Sequence, residues 1–161
     1  MSLEGTPAPE FTVTGTDGST LSLADAVENG PVVVLTLRGH WCSYCAEQLQ
    51  TFSNHAYDLW RNHDTTIIPV SHDPVSKLTE MRDRFGLKLQ LYSDPDFEMV
   101  SAYSGTEQSK KHGKIPLSGT FIVDEEGIVQ YEQVAENAAD RTYANYARHF
   151  INLGFERPYT D

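Results

Sequence analysis

The chain has 161 residues, enough to bury the core of one domain, and its 39% hydrophobic and 22% charged residues are ordinary for a soluble globular protein. Its formal net charge of −11 argues against nucleic acids and anionic membrane surfaces as partners. No apolar run approaches the roughly 20 residues of a transmembrane helix, and the N-terminal stretch lacks the basic and apolar regions of a secretory signal. We therefore expect a single domain over residues 1–161, located in the cytoplasm.

The first part of the chain predicts a hairpin, a short helix and a buried strand. Small and β-branched residues alternate around Asp17-Gly18 within residues 11–23, which is the pattern of a β-hairpin. A short helical segment follows and ends near Gly30. Residues 31–37, with the sequence PVVVLTL, are a run of β-branched and aliphatic side chains, which is typical of a central strand buried on both faces.

The middle of the chain predicts a helix, a strand and a second helix. Apolar residues recur at helical spacing over about residues 43–62, so a strand-to-helix junction directly precedes this helix. Residues 65–70 predict a second buried strand. The helix that follows has Asp73 as its expected N-cap and Gly86 as its terminator.

The last part predicts a short strand, two helices and a hairpin. Residues 89–104 indicate a strand and then a helix entered through Asp94-Pro95. Residues 119–134 predict two strands around a turn, and a final helix is expected over about residues 137–153. Alternating strands and helices followed by an antiparallel hairpin predict an α/β fold, with helices on both faces of a mixed sheet.

Both cysteines of the chain, Cys42 and Cys45, lie in the stretch RGHWCSYCAEQLQ at the strand-to-helix junction. Two cysteines cannot form a disulfide scaffold, and a bridge between them closes only a very short loop. A helix N-terminus stabilises a thiolate through free N–H groups and the helix dipole, and Arg38 adds a cation beside it. The position therefore favours a redox pair that needs no cofactor.

Two other interpretations of the CxxC pair stay open at this point. A zinc site needs two further ligands, and the chain has neither a second CxxC nor a pair of closely spaced histidines. A carrier that binds metal through the CxxC pair and a histidine is still conceivable, as are two incidental buried thiols.

The residues described above resemble the peroxiredoxin-like (alkyl hydroperoxide reductase/thiol-specific antioxidant) branch of the thioredoxin superfamily. The resemblance covers nearly the whole chain. It implies a thioredoxin-like fold, with a mixed central β-sheet flanked by helices and an N-terminal β-hairpin extension. The segments that carry it are residues 5–23, 31–49, 69–96 and 119–129.

The resemblance also implies roles for individual residues. Peroxiredoxins carry P-x-x-x-T-x-x-C-x-x-E/Q around the cysteine that attacks peroxide. In this chain that cysteine falls on Cys45 and the Glu/Gln on Gln48, whereas Cys42 takes the threonine position and Arg38 the proline position. The family arginine before the late strand falls on Ser118, and we expect Arg38 to replace it electrostatically.

The same stretch matches the W-C-x-x-C motif of thioredoxins, in which the first cysteine is the exposed nucleophile and the second resolves. Trp41 is the motif's aromatic residue and is expected, with Tyr44, to shape a hydroperoxide pocket. Gly119-Thr120 stands where thioredoxins carry Pro-Thr, so Thr120 is expected to face the sulfur pair.

The expected activity is that of a peroxidase acting on hydroperoxides. Cys45 attacks the peroxide and becomes a sulfenic acid, and Cys42 condenses with it to a disulfide that an external thiol donor, such as a thioredoxin-like protein, reduces. One alternative is a thioredoxin-like disulfide reductase with Cys42 as nucleophile. Another is a non-enzymatic metal carrier or redox-sensing module.

Overall fold

A computed structural model describes residues 2–156 of the chain. Residue 1 and residues 157–161, the ends of the predicted domain, lie outside the described residues. The elements are β1 (Thr12–Gly15), β2 (Thr20–Ser22), α1 (Leu23–Val27), β3 (Val32–Thr36), α2 (Ser43–His63), β4 (Thr66–Ser71), α3 (Val75–Arg84), β5 (Tyr92–Ser93), α4 (Glu98–Tyr103), β6 (Thr106–Ser109), β7 (Gly113–Pro116), β8 (Gly119–Val123), β9 (Val129–Val134) and α5 (Ala144–Asn152).

A seven-stranded mixed sheet in the order β2-β1-β5-β4-β3-β8-β9 forms the centre of the fold. β3 pairs in parallel with β4 and antiparallel with β8, and every residue of β3 is buried. The predicted N-terminal hairpin joins the sheet through the antiparallel pairing of β1 with β5. This arrangement confirms the predicted α/β class with a mixed central sheet.

Apolar clusters fill both faces of the sheet because successive side chains of a strand point to opposite sides. Val33 and Leu35 of β3 pack into the cluster that includes α2, α3 and α5, whereas Val32 and Val34 pack into the cluster with α1 and α4. Both cysteines belong to the first cluster. The helix that carries the CxxC motif is thus fixed on one face of the sheet by its buried side chains.

The structure differs from the sequence-based expectation in three places. Residues 106–116, which we expected to carry no element, form the two-stranded hairpin β6–β7. The last helix begins at Ala144 rather than near residue 137, so a loop precedes it. Asp73 is not the N-cap of α3: Pro74 holds that position without a side-chain hydrogen bond, and the Asp73 carboxylate instead binds His40.

Within residues 2–156, no helix combines the length and the apolar character needed to cross a membrane.

Candidate active site

The CxxC motif lies where the chain leaves β3 and enters α2. Cys42 is the N-cap of α2, with extended backbone, and its sulfur accepts the backbone N–H of Cys45 at 3.3 Å. The sulfur therefore occupies the position in which an N-cap oxygen normally accepts an orphan helix N–H. An acceptor in this position is favoured as an anion, because the helix N-terminus carries partial positive charge.

The two thiols, both free, have opposite environments. Hydrogen bonding from the Cys45 thiol, and then from the Cys45 backbone N–H, lowers the pKa of Cys42 to about 5 against the opposing effect of burial. Burial raises the pKa of Cys45 well above its usual value, and its hydrogen bond to Cys42 raises it further. Cys42 retains 4% exposure and Cys45 none, so the lowered pKa belongs to the less enclosed sulfur and the raised pKa to the fully buried one.

Arg141 brings a guanidinium to the sulfur of Cys42, a contact that the sequence analysis missed. It extends from the loop before α5, and its Nη2 lies 3.5 Å from Cys42 Sγ. Its Nη1 donates to the hydroxyl of Ser118 and its Nε to the carbonyl of Ala138 at 2.9 Å. The positive charge of Arg141 also lowers the pKa of Cys42, and its effect is larger than that of the Arg38 charge.

Arg38, expected to replace the missing family arginine electrostatically, also lowers the pKa of Cys42 through its charge, though less than Arg141 does, and it has two further partners. Its Nη2 lies 3.8 Å from a carboxylate oxygen of Glu107, and its guanidinium carbon lies 5.2 Å from the ring centre of Trp41. His112 stacks on the Trp41 ring, with the ring centres 3.6 Å apart and the planes within 4° of parallel. A side chain at Gly39 would place its Cβ 2.4 Å from Trp41 Nε1, so the position of the Trp41 ring requires a glycine here.

Gln48 and Thr120, both fully buried, are brought together by the fold. Gln48 Nε2 donates to Thr120 Oγ1 at 3.2 Å and to the carbonyl oxygen of Thr142 at 2.7 Å. These bonds tie α2 to β8 and to the loop before α5. Because Thr142 follows Arg141 directly, the same bonds help to hold the guanidinium beside Cys42.

A buried carboxylate anchors the segment between β3 and α2. Asp73 accepts the backbone N–H of His40 at 2.8 Å, and its other oxygen lies 2.9 Å from the Nδ1 of the His40 ring. The Ser71 hydroxyl, at the end of β4, donates to the same carboxylate at 2.7 Å. The chain immediately before the CxxC motif is therefore tied to the end of the neighbouring strand.

A small open pocket borders the site. Arg38, Glu107 and Ser118 form part of its wall, and residues 135–138 form the rest together with Leu117. Neither Trp41 nor Tyr44, which we expected to shape a pocket, belongs to this wall, and Tyr44 is exposed.

The described residues do not bring three or more His, Cys, Asp or Glu side chains together as a group that could hold a metal ion.

The sequence is similar to those of known thiol-dependent redox proteins. The sequence profile of the AhpC/TSA family matches residues 5–132. A protein of Mycobacterium tuberculosis (strain H37Rv), assigned by name to the peroxiredoxins, is 31% identical over 132 residues, which are 80% of this chain and 83% of the relative. The thiol-disulfide oxidoreductase ResA of Bacillus anthracis is 25% identical over 138 residues, covering 85% of this chain and 73% of the relative.

Among solved structures, a reduced 2-Cys peroxiredoxin of Plasmodium vivax superposes with a TM-score of 0.77 at 18% identity, covering 98% of this chain and 100% of the other. This likeness confirms the predicted thioredoxin-like fold.

Proposed function

We propose that Cys42 is the sulfur that attacks the hydroperoxide in this chain, which belongs to the AhpC/TSA family. The chain is a thiol-dependent peroxidase of the peroxiredoxin type. The contact between Cys42, the N-terminus of α2 and Arg141 carries this proposal. It reverses the order expected from the family spacing, in which Cys45 attacks first. A fully buried thiol with a raised pKa is a poor first nucleophile, because the thiolate and not the thiol reacts.

In the first step the Cys42 thiolate attacks one oxygen of the hydroperoxide, and the O–O bond breaks. The sulfur becomes a sulfenic acid, and the other oxygen takes a proton from solvent and leaves as an alcohol, or as water when the substrate is hydrogen peroxide. In the second step the Cys45 sulfur attacks Cys42, an S–S bond forms, and the Cys45 proton and the sulfenic hydroxyl leave as water. A dithiol donor then reduces the disulfide and becomes oxidised itself.

The contacts of the site suit both steps. Arg141 stabilises the Cys42 thiolate, and its positive charge beside this sulfur also favours the negative charge that develops on the leaving oxygen of the peroxide. The hydrogen bond from the Cys45 backbone N–H to Cys42 Sγ, at 3.3 Å, keeps Cys45 beside Cys42. The family implies a hydroperoxide substrate and a thiol reductant, and we propose a thioredoxin-like protein as that reductant.

A single-turnover experiment on the two cysteine variants tests the assignment. Reduced Cys45→Ser, given one equivalent of hydrogen peroxide, is expected to consume it and to accumulate a sulfenic acid at Cys42, detected by trapping and mass spectrometry. Reduced Cys42→Ser is expected to lose peroxide consumption, because the remaining cysteine, Cys45, is buried and its raised pKa keeps it protonated. A sulfenic acid on Cys45 formed at the wild-type rate in Cys42→Ser would show that Cys45 attacks.

A protein disulfide reductase is the second candidate, because the thiol order described here is also the order that such a reductase requires. Its Cys42 thiolate attacks a substrate disulfide, and Cys45 then resolves the mixed disulfide. The similarity to a relative named thiol-disulfide oxidoreductase adds to this candidate. Wild-type reduction of insulin faster than of hydrogen peroxide, with insulin trapped on Cys42 in Cys45→Ser, would favour it.

A further inference from the structure

The β6–β7 hairpin concentrates positive charge in a chain that is otherwise strongly acidic. The net charge of the chain is −11, yet three of its five lysines lie between residues 106 and 117. We call Lys110, Lys111 and Lys114 the hairpin lysines; all three are exposed. The one acidic residue of this segment, Glu107, faces Arg38.

The hairpin is attached directly to the active-site segment. His112, which follows Lys111, stacks on Trp41, the residue before Cys42. Glu107, on the first strand of the hairpin, contacts Arg38. Two independent contacts therefore hold the hairpin beside the nucleophile and place its lysines at the rim of the site.

The hairpin lysines are available to a partner. Among the residues that the structure describes, none of the three forms an ion pair, and Lys114 has only an aromatic neighbour, the ring of Phe97 at 4.4 Å from its Nζ. The lysine pair at the tip, Lys110 and Lys111, occupies the turn between the strands. Charges on an exposed turn suit contact with a second surface, whereas a small anion is held by charges that converge on a pocket.

We propose that the hairpin lysines form the docking surface for an acidic face of the protein dithiol that reduces the Cys42–Cys45 disulfide, a proposal that depends on the peroxidase function above. A reductant must bring its own thiolate to the sulfur of Cys42, so it has to cover the rim of the site. The rest of the chain repels an acidic partner, and local positive charge orients the approach by steering. The surface thus selects the reductant by charge.

The test separates the two halves of the catalytic cycle. The variant carries Lys110→Glu with Lys111→Glu, leaving Lys114 on its aromatic neighbour. The matched control carries Lys77→Glu with Lys88→Glu, which changes the net charge equally at exposed positions outside the hairpin. The probes are a thioredoxin of low isoelectric point, kept reduced by its reductase, and dithiothreitol, an uncharged dithiol.

At low ionic strength we expect the hairpin variant to lose about tenfold or more in kcat/KM for thioredoxin, because steering contributes factors of this size. The loss should shrink as sodium chloride is raised, since salt screens exposed charges. Turnover of hydrogen peroxide with dithiothreitol should be unchanged in both variants, and the control should keep its kcat/KM for thioredoxin.

Several outcomes would overturn the docking surface. These are an unchanged kcat/KM in the hairpin variant, an equal loss in the control, a slower peroxide step in the hairpin variant, or no turnover with thioredoxin while dithiothreitol supports it. Failure of dithiothreitol to support any peroxide turnover by the wild-type protein would instead overturn the proposed function.

Discussion

At the scale of single residues, position on the helix separates the chemistry of two identical side chains. Cys42, as the N-cap of α2, accepts hydrogen bonds from Cys45 and is reached by a guanidinium. Cys45, one turn further along, is enclosed by the apolar cluster between α2 and the sheet. Because donors and positive charge favour a thiolate whereas burial disfavours it, the pKa of Cys42 is lowered and that of Cys45 is raised.

Replacing Arg141 with alanine should weaken the nucleophile. Hydrogen bonds to charged groups contribute about 1.5–3 kcal/mol, so kcat/KM for peroxide should fall roughly 10- to 100-fold. The pKa of Cys42 should also rise, which moves the pH midpoint of its alkylation by iodoacetamide upward. Arg61→Ala is the control, since it removes the same charge from the far end of α2. An alkylation profile identical to that of the wild type would contradict the role of Arg141.

At the scale of secondary-structure elements, the segment between β3 and α2 depends on a neighbouring strand. The Asp73 carboxylate joins His40 to Ser71 at the end of β4, and Leu37 N–H bonds the carbonyl of Val70. An N-cap role for Asp73 was expected because aspartate commonly precedes helices. The Asp73 carboxylate instead accepts from the partly buried His40 N–H and the buried Ser71 hydroxyl, and buried donors of this kind are normally satisfied.

Asp73→Asn should destabilise the protein and loosen the active-site segment. Asparagine keeps the size of the side chain but removes the negative charge that accepts the His40 N–H and the Ser71 hydroxyl, and hydrogen bonds to charged groups contribute about 1.5–3 kcal/mol against about 0.5–1.5 kcal/mol for neutral ones. Urea unfolding of the reduced protein measures the loss of free energy. Asp83→Asn, at an exposed position of α3, is the matched control and should change the midpoint little. Equal midpoints for the two variants would show that Asp73 is not an anchor.

At the scale of the whole molecule, the sheet order brings distant segments to the CxxC motif. β3 lies between β4 and β8, so the loops that follow β3 and β4 and the segment that precedes β8 meet at one edge of the sheet. Arg141 lies in the loop between β9 and α5, and its guanidinium donates a hydrogen bond to Ser118, the residue immediately before β8. The pKa of Cys42 is therefore lowered only in the folded chain. For this reason the free energy of unfolding should depend on pH through this group.

The free energy of unfolding of the reduced protein should rise with pH between about 5 and about 8. The pKa of Cys42 is about 5 in the folded state and near its ordinary 9.0 in the unfolded chain, so the unfolded state binds more protons in this window. This stabilisation grows toward pH 9 and is lost as pH falls through about 5. Cys45 adds no slope below about 8, because burial keeps it protonated.

Urea midpoints of the reduced wild type and reduced Cys42→Ser, measured at the same series of pH values, isolate this effect because the other titrating groups are shared. The wild type should show the steeper rise with pH. Parallel curves for the two proteins would mean that folding does not lower the pKa of Cys42.

The order of strands and helices could be predicted from the sequence because it depends on local periodicity. The run of residues 31–37, the helical spacing after Ser43 and the turn before Gly127 each determine their element without help from distant residues. The CxxC pair at a strand-to-helix junction follows from the same patterns. The polar hairpin of residues 106–116 has no apolar alternation, so its strands could not be predicted in this way.

Only the tertiary structure places Arg141 beside Cys42 and gives the two sulfurs different burial and hydrogen-bond partners. The resemblance to peroxiredoxins implied Cys45 as the attacking cysteine, and Arg38 was expected to act beside it because it lies at the same strand-to-helix junction. Burial and hydrogen-bond partners set a pKa, however, and they come from segments far apart in the chain. Arg141 lies 99 residues from Cys42 in sequence and 3.5 Å from it in space, a contact that exists only after the sheet has formed.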